Sequence, residues 1–232
     1  MNTKPIIALD FKNMEEVLAF LKPFDEQLFV KIGMELYLQN GPVIVKEVRD
    51  LGHDIFLDLK LHDIPNTVSQ AMKGLAGLDI QMINVHAAGG SRMMAAALAG
   101  LREGGSEAQL IAVTQLTSTS EEMMNLEQGI PGSINDSILK YAQVAKNSGL
   151  AGVVCSANES RMIKDHLGSS FLKVTPGIRT VDDEVGDQVR VATPEFARQN
   201  GSTHIVVGRS ITKDKNPVAK YQQIKKAWET EC

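Results

Sequence analysis

An α/β chain closed into a single (β/α)8 (TIM) barrel is the fold the sequence predicts, and three observations predict it. Short apolar runs recur eight times, each followed by a segment of helical character. The runs are continuous rather than alternating, which is the pattern of parallel strands covered on both faces. Polar or ionisable side chains stand at the end of nearly every run, where this fold keeps its active site. A doubly wound open sheet is the alternative, but no G-x-G-x-x-G follows the first run. No Pro/Gly/Ser-rich linker or low-complexity tract divides the 232 residues, so one catalytic domain over 1–232 is expected.

The first run, Ile6-Ile7-Ala8-Leu9, ends in Asp10. Asn13 can cap the helix after it, with Glu16 as capping-box partner. Val17, Leu18, Phe20 and Leu21 supply its buried face and Pro23 stops it. Leu28-Phe29-Val30 is the second strand, with Lys31 at its end and Ile32-Gly33 following. Gly41-Pro42 places a proline at N1 of the next helix. Val43, Ile44, Val45, Val48 and Leu51 populate that helix, and Gly52 closes it. Ile55-Phe56-Leu57 opens the third strand, and a helix runs from Pro65 to Leu78 with Val68, Met72, Leu75 and Ala76 as its stripe.

Met82-Ile83-Asn84-Val85 is the fourth strand, ending in His86 and Gly89-Gly90. An Ala- and Met-rich helix follows from Ser91 to Leu101, ended by Gly104-Gly105. Leu110-Ile111-Ala112-Val113 leads into Thr114-Gln115-Leu116-Thr117-Ser118, then two helical pieces at about 121–127 and 134–146. Gly152-Val153-Val154-Cys155 precedes Ser156 and a helix from Glu159 to Leu167. Phe171-Leu172-Lys173-Val174 leads into Thr175-Pro176-Gly177-Ile178-Arg179. Thr193-Pro194 starts a helix that closes near Gly201. His204-Ile205-Val206-Val207 is the eighth strand, followed by Gly208-Arg209-Ser210 and a last helix over Pro217 to Glu229.

Charge and composition exclude several classes. The formal charge is −4 with acids and bases interspersed, and no basic tract marks a nucleic-acid partner. Lys4, Asp10, Lys12, Glu15 and Glu16 interrupt any secretory apolar region near the start. No apolar run approaches the roughly 18 residues of a membrane span. Cys155 and Cys232 make neither a disulfide framework nor a zinc site. A cytoplasmic protein is the expectation, with Cys155 as strand packing.

The stretch from Phe56 to Thr67 carries the chemistry. Alternate strand residues share a face, so Phe56, Asp58 and Lys60 point together into a core. Asp63 follows past the strand end and can approach from a loop. An ammonium among carboxylates in a core is tolerated only when paired, and the opposite charges favour its protonated form. A D-x-K triple alone is commonly a structural ion pair. Here it is joined at the other strand exits by Asp10, Lys31, His86, Thr117, Ser156, Arg179, Gly208 and Arg209. Asp10, Lys31, Asp58, Lys60 and Asp63 are expected to form one alternating charge network. His86 serves equally as a substrate contact or a satisfied core histidine.

The opposite side of the mouth suits an anion. Gly208 lets backbone N–H groups approach a phosphate and Arg209 can grip it with two donors. The connection from Thr175 to Ala192 carries Arg179, Asp182, Asp183, Glu184, Gly186, Asp187 and Gln188. It is long enough for a lid or binding loop, with a solvated surface loop as the alternative.

Asp58-x-Lys60-x-x-Asp63 within His62-Asp63-Ile64-Pro65-Asn66-Thr67 resembles the orotidine 5′-phosphate decarboxylases of bacterial type. So do Ala8-Leu9-Asp10, Val30-Lys31-Ile32-Gly33, Leu116-Thr117-Ser118, Thr175-Pro176-Gly177-Ile178-Arg179, Gly186-Asp187-Gln188 and Val207-Gly208-Arg209-Ser210. The resemblance implies loss of CO2 from C6 of orotidine 5′-monophosphate to give UMP, the last step of de novo pyrimidine nucleotide synthesis, without cofactor or metal. It implies Lys60 as the group that stabilises and protonates the C6 carbanion, with Asp58 beside the departing carboxylate. It assigns Lys31 and Asp10 to the ribose hydroxyls and the charge network, and Thr117 to the bound nucleotide. Gln188, Gly208 and Arg209 fall to the phosphate, with Arg179 beside them. It further implies a homodimer in which Asp63 and Thr67 serve the neighbouring subunit's site. Three rivals stay open: a magnesium-dependent sugar-phosphate decarboxylase or aldol-type synthase, a Schiff-base aldolase using Lys60, and a nucleotide-binding barrel without activity.

Overall fold

The computed structural model describes residues 4–180 and 192–229. Eight parallel strands close on one another in sequence order: β1 (Ile6–Ala8), β2 (Phe29–Gly33), β3 (Asp54–Leu61), β4 (Met82–His86), β5 (Gln109–Val113), β6 (Gly152–Val154), β7 (Leu172–Thr175) and β8 (His204–Val207). β1 pairs with both β2 and β8, which completes the ring. The predicted barrel is therefore the observed one, a single domain around a closed sheet.

The continuous apolar runs have the cause anticipated for them. One alternating set fills the barrel interior: Ile6, Ala8, Phe29, Phe56, Met82, Ile111, Leu172, Val174 and Val206. The other set, such as Ile7, Val30, Ile55, Ile83 and Ile205, meets the surrounding helices in a second core. Both faces of each strand are largely withdrawn from water, which is why the runs are mostly apolar.

The helices are α1 (Met14–Leu21), α2 (Met34–Asn40), α3 (Val43–Asp50), α4 (Pro65–Leu75), α5 (Gly90–Glu103), α6 (Glu121–Leu126), α7 (Ile134–Asn147), α8 (Ala157–Leu167), α9 (Pro194–Gln199), α10 (Arg209–Thr212) and α11 (Pro217–Glu229). Among the described residues none is long and apolar enough to cross a membrane. Asn13 caps α1 by accepting the Glu16 N–H at 3.0 Å. α4 and α5 pack so closely that a Cβ on Gly100 would lie 2.1 Å from the Ser69 carbonyl oxygen, which explains a glycine inside a helix.

Several boundaries differ from the sequence reading. α2 was not anticipated, because Met34 and Leu38 are exposed and only Leu36 is buried, leaving no apolar stripe. Pro42 precedes α3 as its N-cap rather than occupying N1. The third predicted helix ends at Leu75 and tightens into a 3-10 turn over Ala76–Leu78. β2 runs further than expected, so Lys31 lies within the strand rather than at its end, while Lys60 lies in β3 as read. The four-residue α10 begins directly after Gly208.

Candidate active site

The site begins with an irregularity in the ladder between β3 and β4. Leu57 pairs with Ile83, but the next pair is Leu61 with Val85, so Asp58, Leu59 and Lys60 stand opposite Asn84 alone. Lys60 adopts φ +53°, the left-handed region that costs a side-chain-bearing residue of order 1 kcal/mol or more. Asp58 and Lys60 still both reach the barrel mouth, as alternation predicts. They do so across an irregular strand that alternation does not reveal.

Asp58 is the hub. Its Oδ1 accepts from Lys60 Nζ at 2.8 Å and from Asn84 Nδ2 at 2.6 Å. Its Oδ2 lies 3.4 Å from Lys31 Nζ, which in turn lies 3.4 Å from Asp10 Oδ1. Burial pushes the Asp58 carboxyl up. The Lys31 and Lys60 charges, with the hydrogen bonds from Lys60 and Asn84, outweigh that and hold it below its ordinary value. Four of the five predicted network members are thus joined.

Asp63 is the exception and does not join the network of its own chain. Its exposed carboxylate accepts the Ile64 N–H at 2.6 Å, and among the described residues it makes no ion pair with Lys60. The chain turns into α4 there and carries Asp63 away from its own barrel mouth. Thr67, in the first turn of α4, is likewise exposed and lines no part of that mouth.

A cavity of about 350 Å³ opens above the network. That is within the roughly 300–1,000 Å³ of small-molecule sites. Asp10, Lys31, Asp58 and Lys60 line it, together with Gln115, Thr117, Arg179, Gly208 and Arg209. Phe56, Val113, Val154, Val174 and Val206 form an apolar floor. The arrangement puts a cation–carboxylate cluster centred on the buried Asp58 and two guanidinium groups on the lining of one cavity over an apolar floor.

Other predicted positions fall elsewhere. Gln188 lies outside the described residues, as do Asp182, Asp183, Glu184, Gly186 and Asp187. The described residues on either side are joined by a bridge: Arg179 N–H donates to Ala192 O at 2.9 Å, and Ala192 N–H to Gly177 O at 3.1 Å. His86 does not line the cavity. It stacks on His62 with centroids 5.6 Å apart, and its Nδ1 accepts the Ala88 N–H at 3.2 Å. Burial first, then its neighbours His62 and Lys60, lower its pKa below the ordinary imidazole value. Cys155 is inert as expected, its thiol pushed up to about 12 by burial. Asn84, which the sequence pattern gives no role, joins the site as the amide partner of Asp58. A lone amide in Met82-Ile83-Asn84-Val85 was the available signal.

Fold and site together define a class: an enzyme of the (β/α)8-barrel type, with its polar groups gathered where the strands end. Comparison with known proteins narrows the class. The sequence profile of the orotidine 5'-phosphate decarboxylase / HUMPS family matches residues 3–224. The orotidine 5'-phosphate decarboxylases of Staphylococcus aureus strains Newman and USA300 are each 58% identical over 228 residues, covering 98% of this chain and 99% of theirs. The solved structure of orotidine 5'-phosphate decarboxylase from Lactobacillus acidophilus matches with a TM-score of 0.89 at 41% identity, over 98% of this chain and 99% of that one. That of an uncharacterized conserved protein from Geobacillus kaustophilus matches with 0.87 at 49% identity, over 97% and 99%. The chain belongs to the orotidine 5'-phosphate decarboxylase / HUMPS family.

Proposed function

We propose that this chain is a cofactor-independent carboxy-lyase that converts orotidine 5′-monophosphate to UMP and CO2, with Lys60 as the catalytic cation. The observation that carries the reading is the Lys60–Asp58 contact of 2.8 Å at the wall of a cavity that Arg209 also lines. The bond from C6 to the carboxyl carbon breaks, its electron pair stays on C6, and CO2 leaves. No delocalised sink receives that pair, so the developing charge has to be met electrostatically. A fixed ammonium in a water-poor cavity does this well, because it needs no reorganisation as charge appears. Lys60 Nζ then gives C6 a proton, which solvent restores.

Asp58 holds Lys60 in place, and Lys31 and Asp10 extend the network toward the ribose hydroxyls. Thr117 contacts the nucleotide. Arg209, Gly208, Arg179 and Gln188 take the phosphate, whose binding energy is far from C6 and can be spent on positioning. The working unit is a homodimer. Asp63 and Thr67 are exposed and outside their own cavity, the placement required of residues that complete a partner's site.

The test is the loss of orotate absorbance when orotidine 5′-monophosphate is added, with and without EDTA. Turnover unaffected by EDTA is expected. Dependence on a divalent ion would favour the magnesium-dependent sugar-phosphate reading, and no turnover would overturn the assignment.

A further inference from the structure

We propose that Asn84 is a positioning residue for this reaction: its amide clamps the Lys60 backbone and the Asp58 carboxylate together and so aims the ammonium. What the ammonium does rests on the decarboxylase reading; that Asn84 holds it rests on geometry alone.

Asn84 is fully buried on β4, where the β3 ladder has slipped. Its side chain stands in for a strand partner, Oδ1 accepting the Lys60 N–H at 2.7 Å while Nδ2 donates to Asp58 Oδ1 at 2.6 Å. These partners dictate the amide's orientation, because turning it over would set oxygen against carboxylate and N–H against N–H. Lys60 sits in the left-handed region at φ +53°, and a strained residue persists only where its surroundings over-determine it. Asn84 is the side chain that binds both ends of the irregular segment. Asp58 Oδ1 accepts from Asn84 and from Lys60 Nζ together, so one oxygen links the amide to the ammonium. Without the amide, the Lys60 backbone is released from its strained state and the Asp58 carboxylate can rotate. The ammonium then loses both of its references.

Two variants separate this from a merely structural role. Asn84→Ala removes both hydrogen bonds. Its kcat per folded molecule is expected to fall about 100-fold, the effect of a displacement near 1 Å, with KM within about threefold of wild type. Asn84→Asp supplies its own control through pH. While neutral, the introduced carboxyl presents one donor and one acceptor, as the amide does. Once ionised, it sets a second carboxylate against Asp58. The activity of Asn84→Asp relative to wild type is therefore expected to be highest at low pH and to drop at least tenfold as pH rises.

If Asn84→Ala does not fold, Asn84→Asp decides alone. The proposal is overturned by wild-type kcat in Asn84→Ala, by an Asn84→Asp deficit equal at every pH, or by an Asn84→Asp protein unfolded even where its side chain is neutral. Absence of decarboxylation in the wild type would instead overturn the reading of function. In that case a crystal structure of Asn84→Ala, expected to show Lys60 outside the left-handed region, tests the clamp without any assay. Lys60 unmoved there would overturn it.

Discussion

Lys60 and Asp58 are two residues apart on one strand, and their charged atoms meet at 2.8 Å with Lys60 in a left-handed backbone conformation. Lys31 approaches the other Asp58 oxygen at 3.4 Å. A single carboxylate thus touches two ammonium groups at the wall of a cavity, one of them shared with Asp10, and the first expectations concern that cluster.

Replacing Lys60 with alanine removes the cation that faces the cavity and leaves Asp58 paired to Lys31. Turnover should fall by more than about 1,000-fold, the upper end of what one preorganised donor supplies. Folding, read by thermal melting, and UMP binding, read by calorimetry, should persist. Decarboxylation near the wild-type rate would remove Lys60 from the mechanism.

Asp58→Asn leaves Lys60 without its counter-charge and Lys31 with Asp10 alone. Stability at neutral pH should drop by about 1–3 kcal/mol, the worth of charge-assisted hydrogen bonds partly open to water. The pH dependence has a fixed sign. The Asp58 value is lower in the folded state than in the unfolded chain. Its stabilisation is therefore complete above the ordinary carboxylate value of about 3.9 and is lost as pH falls through the lower folded value. Chemical denaturation of wild type and variant across pH 2–7 should show their stability difference shrinking only at the acid end. A difference that grew toward acid would contradict the assignment.

Arg209→Ala should act at the other side of the cavity. Losing charge-assisted hydrogen bonds of about 1.5–3 kcal/mol should weaken nucleotide binding by roughly 10–100-fold. UMP and uridine titrated against both proteins provide the check. The variant should no longer distinguish them as the wild type does. A wild type that bound uridine as tightly as UMP would displace the phosphate from this wall.

Mixing a Lys60→Ala protein with an Asp63→Asn protein tests the shared site. If Asp63 serves the partner, one site of each hybrid dimer carries both native residues. Random exchange makes half the dimers hybrid, so recovery of up to about a quarter of wild-type activity is expected. No recovery, with exchange confirmed by mass spectrometry, would return Asp63 to a surface role.

Sequence and structure divide this protein along a physical line. Eight apolar runs, their helical spacers and the polar residues at their ends are local features, set by periodicities of two and 3.6 residues. They sufficed to predict the closed barrel and to place Asp10, Lys31, Asp58, Lys60, Thr117, Arg179, Gly208 and Arg209 around one mouth. Strand pairing is not local. The slip between β3 and β4, the left-handed Lys60 and the Asn84 amide that answers both involve residues more than twenty positions apart, and no period in the chain encodes them. The same holds for Asp63, whose sequence spacing suits the network but whose carboxylate turns to its own Ile64 N–H where α4 begins. The sequence by itself determined most of the side chains that stand at the barrel mouth, though not that His86 and Ser156 lie outside its lining; only tertiary pairing decided which of them touch, because a contact depends on the register between strands and register is a property of the closed sheet.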